Sequence, residues 1–147
     1  FDHPFQWGSK RTGPDLAREG TTANNNIWHY RHMLNPRDPS PGSNMPAYPH
    51  LLTTRVDFSR TRDKFEALRT TGVPYTAAQV EAAATEARAQ ADSVVADLAH
   101  EGARAEPDSE LVALIAYLRR LGHPQSPFTR ANAATAPAAA PAAAPAH

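Results

Sequence analysis

The chain has 147 residues, enough for one domain that buries a real core, but its 14 prolines leave fewer residues for regular packing than the length implies. Fifteen basic residues balance fifteen acidic ones, so charge gives no argument for nucleic acid or an anionic membrane surface as a partner, and no run reaches the ~18 to 20 apolar residues of a membrane span. Cysteine is absent, which excludes disulfides, thiolate zinc sites, iron–sulfur clusters and thiol nucleophiles among these residues.

No basic-then-apolar leader opens the sequence, and its first residue is Phe1 rather than Met, so upstream sequence is expected to have been removed or to lie elsewhere. Residues 1–56 read as a loop-rich segment with turn punctuation every few residues. One short helix is expected within it. Asn25 or Asn26 can cap it, Ile27, Trp28, Arg31 and Leu34 fall at helical spacing, and Asn35-Pro36 ends it. From Pro36 to Pro49 there are five prolines in fourteen residues, which predicts stiff, extended backbone without a hydrogen-bond ladder.

Asp57 can cap a helix that places Phe58, Phe65 and Leu68 on one face and ends near Gly72. Thr76 and Gln79 have capping-box spacing and open a long alanine-rich helix to about His100. Its weak stripe of Val80, Ala84, Ala87, Ala91, Val94, Val95 and Leu98 predicts light packing as an inserted hairpin outside the main core. The clearest helix runs from a cap at Asp108 or Ser109 to Gly122, with Arg119 and Arg120 in its last turn and Leu111, Leu114, Ile115, Leu118 and Leu121 on one stripe. Residues 123–147 are dominated by Ala/Pro repeats after Phe128 and are expected to be disordered.

The chemistry centres on Asn35-Pro-Arg-Asp-Pro-Ser-Pro-Gly-Ser-Asn-Met-Pro-Ala-Tyr48. Prolines on both sides of Met45 would present its thioether in one direction, and a soft thioether suits haem iron or copper. The competing reading is a gap-filling methionine under a loop. Met33, the other methionine, lies on the short helix, where a core role is expected. His29 and His32 are i, i+3 on that helix without a third ligand at recognisable spacing, and His3, His50, His100 and His123 read as surface residues.

Ser43-Asn-Met45-Pro-Ala-Tyr48 resembles the loop that supplies the distal axial ligand in class I cytochromes c. Thr12-Gly13-Pro14-Asp15-Leu16 is similar to the proximal turn, whose proline carbonyl accepts a hydrogen bond from the axial histidine, and residues 111–122 resemble the family's C-terminal helix. Longer runs resemble subunit II of cbb3-type oxidases over roughly 1–122: residues 2–17, Trp28-His, Asn35-Pro-Arg-Asp38, Asn44-Met-Pro-Ala-Tyr-Pro49, Leu51-Leu-Thr-Thr54 and Gly72-Val-Pro-Tyr-Thr76. The Ala/Pro tail is not part of the resemblance.

The resemblance implies a mainly α, class I cytochrome c-like fold with long Pro-rich loops. Residues 1–122 would form the distal part of the domain, with 57–106 as inserted helices. Met45 would be the distal iron ligand. Gly13, Pro14, Leu16, Arg11, Trp28, Arg37, Pro46 and Tyr48 would line the haem, Arg11 and Arg37 pairing with its propionates. Haem c would be attached through a Cys-x-x-Cys-His motif that is not among these residues, as is the family's membrane anchor. The implied function is non-catalytic electron transfer in a respiratory complex on the periplasmic face of the bacterial inner membrane. Its partners would be the di-haem cytochrome c subunit and the catalytic oxidase subunit, with membrane association through the missing anchor or those partners and no nucleic acid. The alternative is a haem-free docking module, and a periplasmic metal-binding protein using Met45 and nearby histidines trails both.

Overall fold

A computed structural model describes Gly13 and residues 15–123. Five α-helices form the described fold: α1 (Asn26–Leu34), α2 (His50–Thr53), α3 (Thr61–Thr70), α4 (Ala77–His100) and α5 (Glu110–Arg120). Two 3-10 turns, Leu16–Thr21 and Phe58–Arg60, complete it. Among the described residues there is no strand, only an isolated bridge between Arg55 and Ser109. The mainly helical class is as expected. The Ala/Pro tail lies outside the described residues.

Helix ends follow local chemistry. Asn25 caps α1 by accepting from the Trp28 N–H at 3.0 Å. Thr76 and Gln79 form both halves of the expected capping box at α4. Of the two candidates at α5, Ser109 is the cap, its Oγ accepting from the Val112 N–H at 3.3 Å. Asp57 caps the 3-10 turn Phe58–Arg60, and α3 proper starts only at Thr61. Gly72 takes a positive φ of 97° just past α3, where a side chain would be strained.

The core lies around α5, which packs against α1, α2, α4 and the turn Leu16–Thr21. Leu111, Val112 and Ile115 are fully buried there with Leu98 of α4, joined by Ile27, Phe58, Ala91 and Val94. Removing side chains of this size from water stabilises by about 1.5–3 kcal/mol each. Light packing of α4 is therefore corrected: its C-terminal half supplies Ala91, Val94 and Leu98 to the main core. Alanine at the contact lets the helices approach closely, so a stripe weak in hydrophobicity still packs densely. On α5 the stripe is rotated slightly from expectation, with Val112 buried and Leu114 half-buried.

The proline-rich segment splits into two parts. Residues 36–42 wind through successive turns, with the Asp38 N–H donating to the Asn35 carbonyl and the Ser40 N–H to the Pro36 carbonyl at 3.1 Å. This corrects the expectation of continuous extension, because a proline φ near −65° also suits type I turns. Residues 43–48 belong to no helix, strand or turn. The helix α2 and the 3-10 turn Leu16–Thr21 had no sequence signal strong enough to be expected. α2 is four residues long and has no side-chain cap.

Candidate functional site: the methionine loop and its helix

Met45 sits half-buried in the stretch 43–48, its N–H donating to Ser43 Oγ at 3.2 Å. Three residues on, the Tyr48 N–H donates to the Met33 carbonyl at 2.8 Å, fastening the loop to the C-terminal end of α1. The two methionines have different surroundings. Met33 packs against the hydrophobic core, as expected, while Met45 stands outside that cluster. A half-buried thioether that fills no core gap, on a loop stiffened by Pro46 and hydrogen-bonded at both ends, is available as a soft ligand.

α1 is held firmly enough to serve as the loop's support. Asn26 Nδ2 donates to Asp97 Oδ2 at 2.9 Å and the Tyr30 hydroxyl donates to the Arg104 carbonyl at 3.1 Å, joining α1 to α4 and the segment after it. Downstream, the Val56 N–H donates to the Asp108 carbonyl and the Glu110 N–H to the Thr54 carbonyl, so the chain leaving α2 is clamped to the start of α5. Arg55 Nη1 adds a 2.6 Å ion pair with Asp108 Oδ1 across this clamp.

The other expected site residues are dispersed. Trp28 is half-buried and stacks on His32, centroids 4.4 Å apart and planes 12° from parallel, with His29 edge-on at 5.2 Å. Tyr48 is half-buried with its ring 6.0 Å from His50. Gly13, Leu16, Arg37 and Pro46 are exposed. Arg11 and Pro14 lie outside the described residues, as does His3. Among the described residues no three His, Cys, Asp or Glu side chains converge as metal ligands.

Sequence reasoning passed over Glu19 and understated His29. Glu19 is buried in the turn Leu16–Thr21 and His29 is buried on α1, Nε2 to Oε1 3.7 Å. Burial is the main cause holding the His29 pKa below its ordinary value, opposed by the Glu19 charge and reinforced by Arg119 and His32. His32 is lowered too, first by burial, with Glu19 pulling the other way. An acidic residue two positions before Thr21-Thr22-Ala23 carries no burial signal, so only packing could reveal this pair.

The residues fit a haem in part. The thioether of Met45 is of the right chemistry and stands clear of the core, while the lack of cysteine means that thioether attachment must be supplied by residues other than these. No helix among the described residues is long and apolar enough to cross a membrane. The family model described as cytochrome c oxidase, mono-heme subunit/FixO, matches residues 1–124. No curated protein matches the chain.

Proposed function

The chain belongs to the FixO family of mono-haem cytochrome c oxidase subunits, and from that membership we propose that it forms the distal side of the haem c site in a cbb3-type oxidase. Electron transfer within an oxidase complex is the family's role. The finer assignment is that this subunit takes electrons from the di-haem cytochrome c subunit and passes them to the oxygen-reducing subunit, on the periplasmic face of the inner membrane.

The observation that carries the reading is the position of Met45: half-buried, outside the core, on a loop anchored to α1 through Tyr48 and Met33. A bound haem c supplies one-electron chemistry at low reorganisation cost. The chain's own residues bind and tune. Met45 would offer its sulfur to the iron, a ligand that favours the reduced state and raises the potential. The Pro14 carbonyl would accept the N–H of the proximal histidine and set its ring plane. Trp28, Tyr48 and the arginines Arg11 and Arg37 would contact the ring edge and its propionates, with Gly13, Leu16 and Pro46 closing the wall. On this reading residues 57–106 are an insertion in the cytochrome domain, and attachment and the proximal ligand come from a Cys-x-x-Cys-His segment.

The test is a reduced-minus-oxidised spectrum of the purified complex, followed by redox titration of Met45→Leu. A c-type band whose midpoint falls in the variant supports the assignment, and an unchanged midpoint removes Met45 from the iron. A complex with no c-type band from this subunit would leave a haem-free docking module.

A further inference from the structure

Beneath the 3-10 turn Leu16–Thr21, groups from three elements meet. Glu19 comes from the turn, His29 from α1 and Arg119 from α5. Glu19 is 6% exposed and His29 only 2%. Glu19 Oε1 accepts from Asn24 Nδ2 at 2.8 Å, and Arg119 Nη1 donates to the Asn24 carbonyl at 2.8 Å. His29 Nε2 stands 3.7 Å from Glu19 Oε1, beyond hydrogen-bond reach, and has no partner within the described chain.

A buried ring nitrogen left unpaired is a poor choice for plain packing, since an apolar ring of similar volume would fill the space without that cost. The arrangement suits a group that takes up a proton. We propose that His29 is the proton-binding element of an acid-released clasp that holds the turn Leu16–Thr21 between α1 and α5.

Neutral His29 fits the closed clasp. A proton would place a second cation beside Arg119, with His32 one turn along α1, in a site too dry to solvate it. Among the described residues Glu19 is the anion acting on His29, and it already serves Asn24. The carboxylates of Asp97 on α4 and of Glu101 at its C-cap engage Asn26 and Asn25 at the start of α1. The turn itself is seated closely. The Gly20 N–H donates to the Leu121 carbonyl at 2.9 Å, and a Cβ at Gly20 would overlap the Arg119 backbone. His123 Nε2 donates to the Gly20 carbonyl at 2.9 Å, a second bond that holds the turn to the end of α5. Release of α1 would reach the Met45 loop through the Tyr48–Met33 bond. That last consequence rests on the haem reading above; the clasp does not.

The test uses the full chain, followed from about pH 8 to about pH 5 across the histidine window. The His29 ring resonance, assigned by its loss in His29→Gln, is titrated by NMR, and the protection factor of the Gly20 amide is measured by hydrogen exchange. The expected result is that His29 titrates below the ordinary histidine value and Gly20 protection falls with it, by up to about tenfold per pH unit. His29→Gln and His29→Phe should flatten that fall, and His123→Gln should leave it. Protection that stays level while His29 titrates, or that falls equally in His29→Gln, overturns the clasp. Met45→Leu should change neither readout, so the clasp and the haem assignment fail separately.

Discussion

At the scale of single residues, the two methionines make the sharpest contrast. Met45→Leu removes a sulfur and little volume, so it should lower the haem midpoint by an appreciable part of the ~0.8 V that axial ligands span, while thermal stability stays near that of the parent. Met33→Leu, in the packed core, should leave the midpoint unchanged. Gly20 is a second position where one atom decides. Its Cβ would come within 2.6 Å of both the Arg119 carbonyl carbon and the Leu121 oxygen, so Gly20→Ala should destabilise by about 1–3 kcal/mol in urea unfolding. The buried cap is a third: Ser109→Ala should cost about 1 kcal/mol, since its Oγ serves the Val112 N–H where water cannot replace it. Met45 as a candidate ligand, and the α5 cap as either Asp108 or Ser109, were legible as residue types in a spacing. Gly20 was not, because the atoms it must avoid lie about a hundred positions away in the chain.

At the scale of elements, α4 divides into halves with different roles. Its N-terminal half pairs with α3, where exposed Arg62 and Glu81 join at 2.8 Å and Phe65 meets Tyr75 at 4.7 Å. Its C-terminal half belongs to the core with α5. Leu98→Ala should therefore cost about 2–5 kcal/mol, while Leu68→Ala on α3, 42% exposed, should stay within about 0.5 kcal/mol. Chemical denaturation of both variants checks the division. If both changes were small, α4 would be the lightly packed hairpin that its alanine content suggests. The alanines misled because hydrophobicity scales credit side-chain area, whereas helix contact depends on how near two backbones can come.

At the scale of the whole molecule, stability should depend on pH in a stated direction. His29 and His32 have folded pKa values below their unfolded ones, both chiefly through burial. The unfolded chain then binds more protons, so their contribution is present above about pH 6.5 and is lost as pH falls through the folded values. Asp57 acts in the same direction at lower pH, its carboxylate held down first by the Ser59 side chain and then by the Ser59 N–H. Urea midpoints measured downward from neutral pH should decline, and His29→Gln should flatten the first part of the decline. A midpoint that rises on acidification would contradict the burial of neutral His29.

The sequence by itself determined the helices that have a start and a stop written in them. Asn25, Thr76 with Gln79, Asp57 and Gly72 act through bonds or dihedrals within a few residues, and such effects do not wait for a fold. It also marked Met45 rather than Met33 as the candidate ligand on which the proposed haem site rests, because prolines flank Met45 on a loop while Met33 lies on a helix. The tertiary structure alone decided which alanines of α4 reach the core, that Ser109 rather than Asp108 caps α5, and that Glu19 and His29 are buried together against Arg119. Those outcomes depend on contacts between segments far apart in the chain. Burial is a property of the surroundings a residue finally receives, and no local pattern encodes it.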